Sequence, residues 1–402
     1  MTKKSNDPGA RPVPSLDFQP TFDRRSFVRV SAAGAAGVVL AGPLAAAERP
    51  KPEAIGTNVG SVKDVPRTAA SMPGRYPGKV VSLDTGKTAS VEGVDAAAAR
   101  RAVETGLLAL TGAADAASAW RRFVGPGDVV GIKVNPIGGA LLSTRPEVVD
   151  AIVAGLEAAG VKRSDIVIWD RREFQLPDAG FTAERFPGVA IAGTEAKGPN
   201  GGFYDDEGRL WARENVDREA PAYVADVEMS YGRDTLPYMI NEGRESYFTR
   251  LVTRRCTKIV NVPVLKNTRD SVSACLKNLS YGSLSNTGRL HKLWAKSVAE
   301  PCAFPCLRDK VVLNILDGLR ACYDGGPGAD PKFIWDANRM FVGTDPVAVD
   351  AAALELIGAE RLRRGVVKSV SPRGRESMEI AAALGLGILE GEAYRVTEVT
   401  LE

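Results

Sequence analysis

Residues 129–169 of the chain, VVGIKVNPIGGALLSTRPEVVDAIVAGLEAAGVKRSDIVIW, contain the pattern that decides the fold class. The apolar run from Val129 to Val134 and the segment from Asp165 to Trp169 each have the length and composition of a buried strand. Between them, apolar residues recur at helical spacing from Pro146 to Ala159. A strand, a helix and a strand in this order predict a right-handed parallel crossover.

The same alternation recurs along most of the chain. Further strands are predicted at Lys79–Leu83, Ile259–Leu265, Val311–Leu316 and Met340–Gly343, and further helices at residues 95–111 and Pro346–Ile357. We therefore predict one α/β domain over residues 79–402, with a mostly parallel sheet and helices on both faces.

Residues 196–250 interrupt this alternation. They contain the pair Gly201-Gly202, many charged residues and several tyrosines, without steady periodicity. We interpret them as an inserted smaller subdomain that covers an edge of the sheet. A lid, a dimerisation arm and a plain surface elaboration are all open interpretations of its role.

The first 47 residues resemble a twin-arginine export signal. The polar stretch that ends in Asp23-Arg24-Arg25-Ser26-Phe27 precedes a mildly apolar run, Val30 to Leu44, and an Ala-Ala-Ala end. The alternative is a disordered basic tail with a chance hydrophobic helix. The apolar run, about 15 residues long, is too short for a permanent membrane anchor. We expect a mature protein exported to the periplasm or beyond by the twin-arginine machinery, with residues 48–78 as a linker.

The net charge of +3 belongs to this leader. Residues 1–47 hold six basic and three acidic residues. The remainder therefore contains 46 of the 52 basic residues and 46 of the 49 acidic residues, which gives it no net charge. A neutral body has no general attraction for a polyanion. We therefore expect no nucleic-acid partner.

The chain contains five cysteines and one histidine. No C-x-x-C occurs, so neither an iron–sulfur cluster nor a Cys/His zinc site has its usual ligands. The one close pair, Cys302 and Cys306, could form a disulfide in an exported protein or remain as two buried thiols.

Polar residues follow the predicted strands at their carboxyl ends, which is where open α/β sheets bind ligands. These residues are Asn135, Asp170, Lys266 with Asn267, Asp317 and Asp345. We expect them to converge at one edge of the sheet. Lys133 lies within a buried apolar run, where a lysine must be paired or functional.

Several motifs resemble the family named domain of unknown function 362, over residues 125–360. The residues that carry the resemblance are Ile132–Asn135, Val264–Thr268, Cys275–Leu279 with Gly282, Arg289–His291, Gly325–Gly328 and Gly343–Asp350. The resemblance implies a fold similar in outline to the lactate racemase family and no established general activity. Relatives commonly have Lys-Thr-His where this chain has Lys266-Asn267-Thr268, and some carry a ferredoxin-like segment whose cysteines are absent here.

These residues suggest three groups of roles. Lys266, His291 and Asp170 are the predicted catalytic residues, because His291 is the sole histidine and lysine and aspartate can exchange protons. Basic and amide side chains beside glycine-containing loops suit a carboxylate or phosphate, so we predict substrate binding by Lys133, Asn135, Asn267, Lys277, Asn278 and Arg289. Asp317 and Asp345 are predicted ligands for a divalent metal, the one cofactor that these carboxylates suggest.

Two classes of function are consistent with this pattern. The first is an exported enzyme that acts on a small anionic substrate. The second is a non-catalytic protein that binds a metal, a cofactor or another ligand. The chain has no G-x-S-x-G, H-E-x-x-H or Walker-type loop, which is evidence against serine hydrolases, zincins and P-loop NTPases. A buried Lys/Asp cluster is costly to maintain unless it is used, so we favour the enzyme.

Overall fold

The computed structural model describes residues 55–90, 92–227, 244–268, 271–326, 328–366 and 374–401. The predicted export signal, residues 1–47, and the first part of the predicted linker lie outside these ranges. Within the described ranges, no helix has the length and apolarity that a membrane span requires.

The strands, in chain order, are β1 Lys79–Asp84, β2 Ala89–Ser90, β3 Gly93–Val94, β4 Val130–Lys133, β5 Ile166–Arg172, β6 Ala190–Glu195, β7 Tyr223–Val224, β8 Glu245–Ser246, β9 Lys258–Asn261, β10 Val264–Thr268, β11 Ser271–Ser273, β12 Val311–Cys322, β13 Ile334–Trp335, β14 Arg339–Gly343 and β15 Arg395–Thr400. The helices are α1 Ala96–Thr111, α2 Ala116–Trp120, α3 Pro146–Ala158, α4 Cys275–Ser283, α5 Ala295–Ala299, α6 Pro305–Arg308, α7 Pro346–Arg363 and α8 Glu376–Ala383.

Eleven of the described strands form one sheet, whose main order is β15-β1-β14-β12-β9-β4-β5-β6, with β10, β11 and β13 attached beside β12. Neighbouring strands are parallel from β12 through β9, β4 and β5 to β6, while β14 runs antiparallel to both β12 and β1. The unit β4-α3-β5 is the parallel pair expected from residues 129–169, with Lys133 opposite Trp169. The α/β fold with a mostly parallel sheet is confirmed.

The sheet separates two hydrophobic cores, because successive side chains of a strand point to opposite faces. On β5, Val167 and Trp169 belong to one core, and Ile166 and Ile168 to the other. Helices α1 and α3 supply buried residues to the Ile168 side, while α4, α7 and α8 pack on the Trp169 side. Helices therefore cover both faces, as predicted.

The described part of the predicted linker packs against the domain. Met72 is buried in the core, and Arg67 donates hydrogen bonds to the carbonyls of Leu384 and Gly385 at 2.7 and 3.0 Å. Arg308 donates hydrogen bonds to the carbonyls of Val65 and Pro66. Residues 55–78 therefore belong to the folded body.

The inserted segment lies between β6 and β9 in the chain, and its described residues touch the edge strand of the sheet. Asn215 Nδ2 donates to the carbonyl of Gly193 on β6 at 3.0 Å. Arg289 stabilises the short ribbon of β7 and β8. It donates hydrogen bonds to the carbonyls of Ala225 and Tyr223 and to Ser246 Oγ. Residues 228–243 of the insertion lie outside the described ranges.

Candidate functional site

A cavity of about 120 Å³ lies where β4, β5 and β10 end and α4 passes over the sheet. Among its described lining residues, five are Lys or Arg and one is a carboxylate, Asp170. The residues that line it are Lys133, Asn135, Ile137, Asp170, Arg171, Arg172, Gln175, Lys266, Ser273, Lys277, Asn278, Tyr281, Gly282, Thr287 and His291. The excess of cations suits an anionic ligand.

Lys133 is fully buried at the end of β4 and has three hydrogen-bond acceptors. Its Nζ donates to Asp170 Oδ1 at 2.5 Å, to the carbonyl of Val134 at 2.7 Å and to Asn278 Oδ1 at 3.1 Å. Three acceptors match the three N–H donors of an ammonium group. Burial lowers the pKa of Lys133, and the Asp170 carboxylate opposes that shift.

Lys266 is also fully buried, on β10, but its neighbours are different. Its Nζ donates to Asn135 Oδ1 at 2.9 Å and to the carbonyl of Ile137 at 3.4 Å, and no carboxylate pairs with it among the described residues. Two neutral acceptors match the two N–H donors of an uncharged amine. Burial and the charge of Lys277 lower the pKa of Lys266 to about 7.

Lys277 reaches the cavity from the first turns of α4. Its Nζ donates to Thr268 Oγ1 at 3.1 Å and lies 5.5 Å from the ring centres of both Tyr281 and Trp294. Aromatic faces stabilise a cation at this distance. The surroundings of Lys277 therefore suit a positively charged side chain at the wall of the cavity.

A chain of side-chain amides fixes the orientation of the groups around these lysines. Asn135 Nδ2 donates to Asn278 Oδ1 at 3.2 Å, Asn278 Nδ2 donates to Asn261 Oδ1 at 2.8 Å, and Asn261 Nδ2 donates to Asn314 Oδ1 at 2.9 Å. Each amide thereby commits its nitrogen to the next residue. The oxygen of Asn135 is left to face Lys266, so the lysine meets an acceptor in a fixed position.

Arg171 and Arg172 continue β5 directly after Asp170 and form the outer wall of the cavity. Arg171 hydrogen-bonds Thr287 Oγ1, and its Nε lies 3.4 Å from Glu195 Oε1. Arg172 Nε lies 3.4 Å from the other oxygen of the same carboxylate. Burial raises the pKa of Glu195, against the influence of both arginines. One carboxylate is thus shared by two guanidinium groups, which leaves this wall positive.

His291 lines the outer part of the cavity. Its ring is exposed to solvent, stands edge-on to Tyr281 with 5.0 Å between ring centres, and has Nδ1 3.1 Å from the carbonyl of Gly288. A histidine in this position can exchange protons between solvent and a bound molecule. Lys266, Asp170 and His291, the three predicted catalytic residues, therefore do lie around one cavity.

Helix α4 carries Lys277, Asn278 and Gly282 to the cavity, and its first turn is held by a residue distant in sequence. Asp350 on α7 accepts hydrogen bonds from the backbone N–H of Cys275 at 2.6 Å and of Leu276 at 3.1 Å. Ala274 provides no side-chain cap, so Asp350 supplies the acceptors that the helix start lacks. Burial raises the pKa of Asp350 to about 7.

Two predicted substrate-binding residues lie elsewhere. Asn267 neighbours Lys266 on β10, so its side chain faces the other way, and its Oδ1 accepts from the backbone N–H of Gly326 at 2.8 Å. Arg289 is fully buried beneath the β7–β8 ribbon. Lys133, Asn135, Lys277 and Asn278 do line the cavity.

The expectation that Asp317 and Asp345 converge at one sheet edge is wrong. Because β14 runs antiparallel to β12, the end of β14 lies beside Asn314, and Asp345 follows it toward the opposite edge from Asp317. Asp345 accepts hydrogen bonds from the backbone N–H groups of Gly78, Val347, Ala348 and Ile388. Asp317 accepts from the backbone N–H groups of Arg145 and Leu319.

These two carboxylates therefore accept hydrogen bonds from backbone N–H groups, including those at the starts of α3 and α7, and they do not share a metal site. Burial raises the pKa of each to about 6. In the parts of the chain that the structure describes, no group of three or more His, Cys, Asp or Glu side chains is arranged to hold a metal ion. All five cysteines are free thiols; Cys302 is buried, whereas Cys306 is half-buried.

Reasoning from the sequence missed several lining residues. Arg171 and Arg172 could have been found, because they directly extend the strand that delivers Asp170. Tyr281 could also have been found, because it lies one helical turn after Lys277 on α4. Gln175, Ser273 and Thr287 reach the cavity only through the packing of separate segments, for which the sequence has no local signal.

Residues 130–355 of the chain match the family described as Domain of unknown function (DUF362). The match covers more than half of the 402 residues and every described residue that lines the cavity, and the chain belongs to this family. No curated protein matches the chain, and no solved structure does.

Proposed function

We propose that the protein is an enzyme that acts on a small organic anion in this cavity, with Lys266 as its reactive group. A cavity of roughly 150 Å³ accommodates one benzene molecule, so about 120 Å³ suits a ligand of similar or smaller size. A short carboxylate or a small phosphate fits this volume and the positive lining.

One observation carries the proposal: the buried Nζ of Lys266 contacts two neutral acceptors and no described carboxylate. A protein that only binds an anion is better served by a permanently charged lysine, because an uncharged amine attracts an anion weakly. An amine that is uncharged near neutral pH is instead a base or a nucleophile. Its surroundings therefore favour an enzyme over a ligand-binding protein.

The other cavity residues have supporting roles in this proposal. Lys277 and the Arg171–Arg172 wall bind the anionic group. Lys133 holds Asp170 and Asn278 in place through its three hydrogen bonds. His291, at the exposed side, transfers protons between the ligand and water.

The test combines binding with turnover. The purified protein is titrated calorimetrically with acetate, lactate, pyruvate and inorganic phosphate, and the ligands that bind are incubated with it in D₂O and followed by proton NMR. We expect at least one ligand to bind and to exchange a hydrogen or be converted. Lys277→Met should weaken binding, and Lys266→Met should abolish conversion while binding persists.

Lys332→Met, which removes a lysine whose side chain is 67% exposed, is the matched control. It should change neither the affinity for the ligand nor its conversion. Absence of binding would contradict the proposal. Binding without any conversion would favour a non-catalytic ligand-binding protein.

We also propose that the enzyme works after export. The support is the order of the leader, in which Arg24-Arg25 precedes a mildly apolar run and an Ala-Ala-Ala end. Residues 1–60 fused to a reporter should direct it out of the cytoplasm, and Arg24→Lys with Arg25→Lys should retain it there. Export that is unchanged by the double substitution would contradict a twin-arginine route.

A further inference from the structure

We propose that Lys266 forms a covalent imine with a 2-oxo acid, a small molecule in which a carbonyl adjoins the carboxylate. This inference rests on the proposed function, since it names the substrate class of the same cavity. Four features support it: the hydrogen bonds of Lys266, its charged neighbours, a cation that can bind the carboxylate and the supply of protons.

The hydrogen bonds of Lys266 leave one position of its nitrogen unused. An uncharged amine has two N–H donors and one lone pair. The two donors are satisfied by Asn135 Oδ1 and by the carbonyl of Ile137, and no described donor is bonded to the lone pair. Lys133, with its three acceptors, offers no such lone pair while it remains an ammonium.

The charges around Lys266 favour the amine over the ammonium. The groups that act on it are Lys277 and Lys133, which oppose its protonation, and Asp170 and Cys322, which favour it. Asp170 is engaged by Lys133, and the Cys322 thiol donates to the carbonyl of Asp324 at 3.0 Å. A desolvated lysine beside a second cation is a recognised arrangement for imine formation.

The same neighbours can bind the carboxylate of a 2-oxo acid. Lys277, held between two aromatic rings and Thr268, presents a positive charge beside Lys266. In a 2-oxo acid the carbonyl carbon is bonded directly to the carboxylate carbon. A carboxylate paired with Lys277 therefore brings an electrophilic carbon into the neighbourhood of the Lys266 lone pair.

The reaction needs no oxidant, reductant or other co-reactant. The lone pair of Nζ attacks the carbonyl carbon, a C–N bond forms, and the carbonyl oxygen gains the proton that the nitrogen loses. The resulting hydroxyl takes one solvent proton, relayed by His291, and leaves as water while the C=N bond forms. One amine, one carbonyl and one proton thus give one protonated imine and one water molecule.

The test traps the imine on the full-length protein. Pyruvate and glyoxylate are each incubated with the protein and sodium cyanoborohydride, and the modified residue is identified by peptide mass spectrometry. We expect one adduct per chain on Lys266, with the exposed Lys332 unmodified. Lys266→Met should lose the adduct, and a retained melting temperature shows that the variant is folded.

The pH dependence of trapping distinguishes Lys266 from an ordinary lysine. The rate should rise through a midpoint near pH 7 and level about one pH unit above it, because the amine is half uncharged at its pKa and almost wholly uncharged beyond that. Lys277→Met removes the neighbouring cation, so the plateau should move to higher pH. Surface lysines, with an ordinary pKa of about 10.4, keep gaining reactivity well above this range.

A parallel titration with lactate, which has a hydroxyl in place of the carbonyl, separates the two proposals. If lactate and pyruvate bind but no adduct forms on Lys266, or adducts spread over surface lysines, the imine is disproved and the small-anion site stands. If none of the carboxylates binds, both proposals are overturned.

Discussion

Lys133 and Lys266 reach the same cavity from strands β4 and β10, yet their amino groups meet different partners. Lys133 has three acceptors that include the Asp170 carboxylate, whereas Lys266 has two, both neutral. Both side chains are fully buried. Because an ammonium has three N–H donors and an amine has two, the two lysines are prepared for different protonation states.

This difference gives the two lysines different roles in the cavity. A buried lysine paired with a carboxylate organises its surroundings, and a buried lysine without one can give up its proton near neutral pH. Asn135 and Asn278 join the two, since Asn278 Oδ1 accepts from both Lys133 and Asn135, and Asn135 Oδ1 accepts from Lys266. Substitution of one lysine should therefore change the hydrogen bonding of the other, because Asn135 and Asn278 connect them.

The Lys133–Asp170 pair should be important for stability. Asp170→Asn removes the charge that faces a fully buried ammonium, and breaking a buried pair on one side costs about 3 kcal/mol. The free energy of unfolding, from urea denaturation, measures this. Glu104→Gln at the exposed pair Arg100–Glu104 is the control and should cost less than about 0.5 kcal/mol. Equal costs for the two substitutions would contradict a structural role for the buried pair.

Gly282 should be required because the Lys133 side chain occupies the space beside it. A Cβ at position 282 would lie 2.5 Å from Lys133 Nζ and closer still to Cε, so the lysine would have to move. We expect Gly282→Ala to cost about 1–3 kcal/mol despite the better helix propensity of alanine. Gly125→Ala, where a Cβ meets nothing within 4 Å, should be nearly neutral. An unchanged melting temperature for Gly282→Ala would contradict the packing described.

Asp350 should make the stability of the protein depend on pH. Its pKa is raised to about 7 in the folded state from about 3.9 in an unfolded chain, so the folded state binds the proton more tightly. Its contribution is greatest at low pH and falls by roughly 1.4 kcal/mol per unit as the pH rises toward 7. Asp350→Asn lacks this titration.

Urea denaturation of the wild type and of Asp350→Asn between about pH 5 and pH 8 measures this effect. The stability cost of the substitution should shrink as the pH rises. A cost that is constant or that grows with pH would contradict a raised pKa at Asp350. Asp84→Asn, at a carboxylate with a half-exposed side chain, is a suitable control.

Binding of an unreactive anion should be coupled to protonation of Lys266. A bound carboxylate favours the ammonium and raises the pKa of Lys266 from about 7, so binding at about pH 8 takes up part of a proton. At about pH 5.5 the amine is already protonated, and uptake should vanish. Calorimetry with lactate in two buffers of different ionisation enthalpy measures the uptake. If the binding heats in the two buffers are equal at pH 8, no proton is taken up, which would contradict the assignment of this titration to Lys266. Proton uptake that persists in Lys266→Met would contradict it as well.

The periodicity of the sequence was sufficient to predict the fold class and the part of the site that β4 and β5 deliver. A buried parallel strand is a short apolar run, and the residue at its end must face the edge of the sheet, which places Asn135 and Asp170. The same alternation could have separated Lys266 from Asn267, because adjacent residues on a strand face opposite sides.

Other features depend on information that local patterns do not contain. The apolar run Met340–Gly343 is the same for either strand direction, so nothing in it indicated that β14 is antiparallel and that Asp345 lies at the other edge. Arg289 is buried by the inserted ribbon, whose partner strands are distant from it in sequence. Asp350 caps a helix that begins 75 residues earlier, a contact that only the packing of α7 on α4 creates.

The pKa of Lys266 is the quantity that tests this account most directly. Lysine labelled with ¹³C at Cε in the full-length protein reports the charge of each amino group by NMR, and Lys266→Met assigns the resonance. We predict that Lys266 titrates near pH 7, and that Lys277→Met raises this midpoint. A midpoint at or above about 10, the value of an ordinary lysine, would show that the amine is always charged at neutral pH and would contradict the proposed chemistry.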